Sequence, residues 1–317
     1  MGSREKRQAI ARRRPVMLSQ RPPMTDAILE EIALTDWAGP CPPEASARAT
    51  GALEAGRVVL LPRLEFVVKP TETEFLDPSI AAGDRKNISL DPGAETCDAV
   101  SLPPGQAEAL AAMMRRFSDQ AQALVEALAP AYAGRLERAR TSFRPVEIAG
   151  RIYSPRHDDR RLHIDAFPTR PMRGRRILRV FSNIAIDGAA RDWRVGEPFE
   201  AFARRFAPKA RRGPPGSGFV LQGLGLTRGR RSPYDEIMLS LHDQAKLDDA
   251  YQADAPKTPI AFPAGATWLC FTDQVLHAAL SGHSALEQTF HLPVEAMADP
   301  ERSPLRVLER LTGKALA

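Results

Sequence analysis

The chain has 317 residues, 43% hydrophobic and 26% charged, with a net charge of +5 and a pI near 9.3. This is ordinary globular composition, with enough apolar surface for one large core or two smaller ones. It excludes collagenous and low-complexity chains, and the lack of any run of about 18 apolar residues excludes a membrane-spanning helix.

Three cysteines, Cys41, Cys97 and Cys270, stand far apart and fit neither a disulfide framework nor a CxxC metal site, which suits a reducing compartment. Most of the cations are arginine, a bias that is either compositional or the mark of an anionic partner. The start, MGSREKRQAIARRRP, carries the charge of a signal peptide without the apolar segment that should follow. A cytoplasmic protein is expected, its basic arm either free or resting on the anionic inner face of an inner membrane.

Residues 1–50 read as this arm with a short helix around Met24–Leu34. GRVVLLPRLEF (56–66) reads as a buried strand, weakened by Pro62, and a polar stretch runs from there to residue 100. Leu110, Met113, Met114, Phe117, Ala121, Leu124, Val125 and Leu128 repeat at helical spacing between Pro103–Pro104 and Pro130. Strands are expected in FRPVEIAGRIYS, RLHIDAF and RRILRVFSNIAIDG, between residues 143 and 193. Two shorter amphipathic helices follow, near Pro198–Phe206 and Leu241–Ala250, with the Gly- and Pro-rich loop RRGPPGSGFVLQGLGLTRGRRSP between them. Residues 258–293 return to β structure. Strands at both ends and in the middle, without βαβ alternation, predict an antiparallel sandwich or barrel with helices packed outside. The expected organisation is an arm (1–50), a domain (51–295) with helical support at 101–140 and a ligand-bearing β core at 143–293, and a helical tail (296–317).

The chemistry starts in RRLHIDAFPTRP (160–171). On a strand, His163 and Asp165 leave the same face, which makes half of a metal site or a buried hydrogen-bonded pair. A third ligand must come from a distant element. His277, in FTDQVLHAALSG, completes an HxD…His facial triad, the set used by non-haem Fe(II) oxygenases, with three coordination positions left open. His291, in TFHLP, competes for that place; His157, His242 and His283 are expected in a charged turn, an amphipathic helix and a turn after Gly282. In RILRVFSNIAI, Arg179 projects beside Ile177 and Phe181, and a buried guanidinium needs an anion, such as a carboxylate held by two parallel hydrogen bonds. Arg176 competes for the same role.

The stretches RLHIDAFPTRP, RILRVFSNIAIDGAARDWRVGEPFEAFARRF, YDEIMLSLHDQAKLDDAYQ and FPAGATWLCFTDQVLHAALSGHSALEQTFHLP resemble the family of Kdo (3-deoxy-D-manno-oct-2-ulosonic acid) hydroxylases. The resemblance implies a mainly β protein with flanking helices around a double-stranded β-helix (jelly-roll, cupin-like) core. It also implies an Fe(II)/2-oxoglutarate-dependent dioxygenase with His163, Asp165 and His277 as iron ligands, and 2-oxoglutarate and O2 as co-substrates. The implied reaction hydroxylates C3 of Kdo in lipopolysaccharide, on Kdo-lipid A, to give the Ko sugar with release of succinate and CO2. Many members of the wider superfamily carry an Arg or Lys shortly after the distal histidine to hold the co-substrate. Here that place reads LEQTF, with Glu287 and Gln288, so the anchor falls to Arg179 or Arg176.

An acidic glycolipid suits Arg144, Arg151, Arg156 and Arg170 around the ligand segment, and Lys246 with Asp248 would meet sugar hydroxyls. A cupin-like metal hydrolase or isomerase and a non-catalytic binder of anionic glycolipid are the rival readings. The aromatic–basic interleaving of a base-stacking surface is missing, so nucleic acid is not expected. The sequence does not specify the oligomeric state.

Overall fold

The strands in chain order are β1 (Leu29–Glu31), β2 (Val58–Leu61), β3 (Ile88–Leu90), β4 (Glu137–Arg144), β5 (Arg176–Asn183), β6 (Arg191–Val195), β7 (Thr258–Phe262), β8 (Thr267–Phe271), β9 (His277–Ser281) and β10 (Ala285–Leu292). The helices are α1 (Pro43–Glu54), α2 (Pro104–Leu128), α3 (Phe199–Phe206), α4 (Pro233–Leu247), α5 (Asp249–Asp254) and α6 (Pro304–Thr312). They come from a computed structural model that describes residues 28–83, 85–210 and 222–317.

Seven strands form one sheet in the order β1–β2–β8–β5–β10–β4–β3, and three form a second in the order β7–β6–β9. From β4 onward the chain alternates between them. It leaves the large sheet for a bridge between His163 and His277, returns for β5, crosses to β6 and β7, returns for β8, crosses to β9 and ends on β10. This is a double-stranded β-helix whose sheets are open at their edges.

Side-chain alternation gives the two faces of the large sheet different tasks. Leu178 and Val180 of β5, Leu286 and Phe290 of β10, and Phe143 of β4 point to the side covered by helices and join one core cluster with Leu110, Met113, Met114, Phe117, Leu124 and Leu128 of α2. Each such fully buried side chain contributes roughly 1.5–3 kcal/mol. α2 starts at Pro104, where a missing N–H costs nothing, and stops just ahead of Pro130. Toward the small sheet lies an aromatic cluster: Trp268 stacks on Phe262 at 4.0 Å and on Phe181 at 5.3 Å, with Trp193 edge-on to all three.

Local pattern and structure part in four places. The helix expected around Met24–Leu34 gives way, from Leu29 on, to β1, which pairs parallel with β2 and buries Leu29; Met24–Ala27 lie outside the described residues. Pairing partners override a weak local preference. Pro145 follows the last residue of β4, so FRPVEIAGRIYS is mostly irregular, and RLHIDAF contributes one bridge in place of a strand. The helix expected at Leu241–Ala250 starts at Pro233, capped by Ser232 and Asp235, and breaks at Asp248, which caps α5 through Tyr251 N. The edge drawn at residue 50 falls inside α1, whose Ala49, Ala52 and Leu53 belong to the main core. The first part of the Gly/Pro-rich loop, 211–221, and the basic arm lie outside the described residues.

Candidate metal centre

His163 and His277 meet because their backbones pair: each N–H donates to the other's carbonyl, at 3.0 and 2.9 Å. Asp165 N donates to Thr272 O at 2.8 Å, so the ligand segment is pinned between the end of β8 and the start of β9 although it forms no regular strand. One ligand atom from each of His163, Asp165 and His277 lies within 4.8 Å of the others, and among the described residues no other group of His, Cys, Asp and Glu converges in this way. The His163 and His277 rings are 4.5 Å apart, and His163 Nε2 lies 3.9 Å from Asp165 Oδ1.

Hydrogen bonding settles which nitrogens face the centre. His163 Nδ1 donates to Arg161 O at 2.8 Å and His277 Nδ1 to Val275 O at 2.9 Å, so both Nε2 lone pairs are left for a ligand bond. Burial pushes both imidazoles below their usual pKa, which keeps them neutral as metal binding requires. Burial would raise the Asp165 carboxyl, but its neighbours, the Arg179 guanidinium first among them, hold it below its ordinary value. Asp165 Oδ2 is buried with no hydrogen-bond partner among the described residues; Arg179 Nη2 stands 3.2 Å away. Two neutral imidazoles and a carboxylate with a spare oxygen fit a divalent metal that accepts N and O donors. Trp193 stacks on the His277 ring at 5.2 Å and fixes its plane.

The three residues open into a pocket of about 170 Å³, walled also by Lys86, Arg144, Arg179, Arg191 and Glu287. A second cleft of about 270 Å³ shares Asn87, Arg144, Arg179 and Glu287 with it.

The sequence profile of the 3-deoxy-D-manno-oct-2-ulosonic acid (Kdo) hydroxylase family matches residues 36–315. This chain belongs to that family. It is similar to crystal structures of the Kdo hydroxylase KdoO, described as a non-heme Fe(II) alphaketoglutarate dependent dioxygenase. With alphaketoglutarate and Fe(III) bound, KdoO matches at a TM-score of 0.88 and 44% identity, over 92% of this chain and 97% of the other. The apo form matches at 0.88 and 44%, and the complex with succinate and Fe(III) at 0.87 and 44%, each over 91% of this chain and 97% of the other. Among curated proteins no significant match is found.

Relative to this family frame, the predicted cations scatter. Arg179 faces the metal pocket, but Asp165 at 3.2 Å and Glu287 at 3.1 Å already balance its charge. Arg176 is not at the site. One residue in β5 decides the face, and Arg176 points to the helical side, fully buried, with Asp273 at 2.8 Å, Gln274 at 2.6 Å and the Phe271 ring beneath it. Arg144 lines both cavities and pairs with Glu287 at 2.7 Å. Arg170 borders the second cleft, and Arg151 a small side lobe where it donates to Tyr153 Oη. Arg156 is exposed and pairs with Asp243 at 3.3 Å, outside the pocket. Lys246 also misses the pocket wall: it is buried behind Asp159, donating to Arg156 O at 3.2 Å. Asp248 serves as a helix cap. His291 stands apart from the triad, on the wall of the second cleft.

Sequence reasoning missed Arg191. It is 2% exposed and lines the metal pocket; its Nη1 donates to Gly282 O at 3.2 Å, its Nε has no partner, and no carboxylate pairs with it among the described residues. Burial, with Arg144 nearby, pushes its pKa down to about 9. The available signal was alternation in RDWRV, which sends Arg191, Trp193 and Val195 to one face. Asp159 was also missed; it lines the pocket and gathers Lys86, Lys246 and Arg144 around its carboxylate.

Proposed function

We propose that this chain is an Fe(II)/2-oxoglutarate-dependent dioxygenase that hydroxylates C3 of Kdo on Kdo-lipid A, giving the Ko sugar. Membership of the Kdo hydroxylase family supports the substrate class, and 44% identity to KdoO supports the cofactor. The observation that carries the reading is the convergence of His163, Asp165 and His277, with both Nδ1 atoms occupied by backbone carbonyls. Those three side chains would hold the iron. Bound there, Fe(II) supplies the coupling of 2-oxoglutarate decarboxylation by O2 to oxygen insertion into a carbon–hydrogen bond, with release of succinate and CO2.

The chain's own groups do the rest. Arg179, held between Asp165 and Glu287, orients the ligand carboxylate. Arg191 is the pocket guanidinium whose charge is unmatched among the described residues, and a carboxylate entering the pocket would meet it, which makes Arg191 a better co-substrate anchor than Arg179. Phe181, Trp193 and Ile148 exclude water from the inner wall. Arg144 and Lys86 face the acidic sugar, and Asp159, which lies between them, accepts from its hydroxyls.

No helix among the described residues is long and apolar enough to cross a membrane. The proposal includes cytoplasmic residence and a peripheral contact of the basic arm with the anionic inner face of the inner membrane, supported by the substrate class and the charge of MGSREKRQAIARRRP. Liposome flotation with and without residues 1–14 tests that contact; equal recovery removes it.

The function is tested by mass spectrometry of Kdo-lipid A after incubation with protein, Fe(II), ascorbate and 2-oxoglutarate. A gain of one oxygen is expected, lost in Asp165→Ala. Product formed without oxygen and without 2-oxoglutarate would assign the same ligands to a hydrolase or isomerase instead.

A further inference from the structure

The inner face of the large sheet changes character half-way across. Where the small sheet covers it, the face is aromatic, with Phe181 and Trp268. Beyond Phe181, alternation brings Glu287, Thr289 and His291 of β10, Ser142 and Arg140 of β4, and Ser89 of β3 onto the same side, and these residues wall the second cleft. The inner face of a jelly roll is where a sandwich puts its apolar core. Here eight-residue β10 is buried throughout and yet polar on this side.

Internal pairing consumes only part of this polarity. Four guanidiniums line the cleft; Arg144 and Arg179 are matched by Glu287, Asp159 and Asp165, which leaves Arg140 and Arg170. Arg140 and Arg170 share Asp91, at 2.8 and 3.5 Å. His291 Nδ1 is buried without a hydrogen-bond partner among the described residues, and Glu137 stands 3.7 Å away, beyond hydrogen-bond reach. Two guanidiniums sharing one carboxylate, beside the unpaired His291 Nδ1 and Arg179 Nε, mark a place where a ligand completes the bonding. The wall shared with the metal pocket, Arg144–Glu287–Arg179, means that a ligand here is continuous with whatever occupies the metal pocket.

We propose that this cleft is a second acceptor subsite, in which Arg140, Arg170 and His291 bind an anionic, hydroxyl-bearing group of the glycolipid next to the sugar oxidised at the metal. This rests on the proposed function and adds a requirement to it: the acceptor is read at two points, the oxidised sugar and one acidic neighbour. Carboxylate and phosphate share the recognising chemistry, since both accept paired N–H donors from a guanidinium.

The test compares the wild type with Arg140→Met/Arg170→Met, substitutions remote from the metal ligands, and with Arg140→Lys/Arg170→Lys as the charge-retaining control. Thermal unfolding first establishes that each variant is folded. Two measurements follow on protein holding Co(II) and succinate: calorimetric binding of the deacylated acidic oligosaccharide, and acceptor KM under turnover conditions with Fe(II). Loss of two charge-assisted contacts weakens binding and raises KM roughly tenfold or more in the Met variant, while kcat and the half-saturation for 2-oxoglutarate stay within about twofold. The Lys variant falls between. Two acceptors separate the sources: one dephosphorylated with two acidic sugars, and one phosphorylated with a single acidic sugar. Whichever keeps the difference between wild type and Met variant carries the bound group. Equal affinities in wild type and folded Met variant for both acceptors overturn the subsite. If the wild type binds oligosaccharide but oxidises none, the proposed function fails while the subsite stands on the binding data alone.

Discussion

Glu287 is the residue whose change should report most on the site. Its carboxylate, 3% exposed, accepts from Arg144 at 3.0 and 2.7 Å and sits 3.1 Å from Arg179. Burial would raise its pKa, but Arg144 and then Arg179 reverse that and lower it, so the bridge is ionic at neutral pH. Glu287→Gln keeps the shape and one hydrogen bond and leaves two partly buried guanidiniums facing each other across a neutral amide. Removing one member of a buried ion pair costs about 3–5 kcal/mol, and isosteric replacement with partial solvation by pocket water puts the expectation near 3. With an unfolding entropy of about 2.1 cal/mol/K per residue over a chain of this length, that lowers Tm by about 4–5 °C. A second consequence concerns metal. Released from Glu287, Arg179 turns fully toward Asp165, which it already approaches at 3.2 Å, and competes for the oxygen that a metal would use. Calorimetry with Co(II) should show affinity reduced roughly tenfold, in the range seen for outer partners of ligands. A variant with unchanged Tm and unchanged Co(II) affinity would show that the Arg144–Glu287–Arg179 bridge neither supports the sheet nor restrains Arg179.

Other consequences can be measured separately. Arg191→Met removes a buried charge that has no carboxylate partner among the described residues, so the apo protein should gain about 1 kcal/mol or more in denaturant midpoint while succinate affinity falls at least roughly tenfold and Co(II) binding holds; loss of stability would mean that Arg191 is paired after all. Gly282 has φ +104°, and a Cβ there would stand 2.9 Å from Arg191 Cα and 3.1 Å from Ala190 O; Gly282→Ala should cost about 1–3 kcal/mol and weaken succinate binding by shifting Arg191. A variant as stable as wild type would show that the turn tolerates a side chain. Burial, with Arg175 adding to it, pushes His291 from its ordinary 6.5 down to about 4. The unfolded chain therefore binds the extra proton: His291's contribution is complete above pH 6.5 and is lost as pH falls toward 4, roughly 3 kcal/mol in all. His291→Asn should flatten urea stability between pH 6.5 and 4, and an unchanged acid limb would rule this out.

Much of the site could be read from residue order, because strand alternation and the HxD spacing are properties of a few neighbours. His163, Asp165 and His277 needed only that the two segments meet, and the apolar run around each made that expectation concrete. What could not be read depends on partners distant in sequence. Arg176 and Arg179 look alike in RILRV; only the packing of α2 on one face and the facing sheet on the other separates a guanidinium held by Asp273 from one beside Asp165. Arg191 stands out because of what does not surround it, and no local pattern encodes a missing carboxylate. Lys246, expected to meet sugar hydroxyls, is buried by the fold against Asp159 from a loop far upstream. β1 failed for the same reason: three residues become a strand only when β2 is available to pair.

The stack of Trp193 on His277 has a practical consequence. Of the three tryptophans in the chain, Trp37 is lodged against Phe66 and Phe117, and Trp268 sits deep between Phe262 and Phe181. Trp193 alone has its indole parallel to a candidate ligand ring, at 5.2 Å. Its emission is therefore a built-in gauge of occupancy: an open-shell ion seated between the imidazoles will quench it by proximity, a closed-shell ion such as Zn(II) will not, and the difference can be followed without label, substrate or turnover.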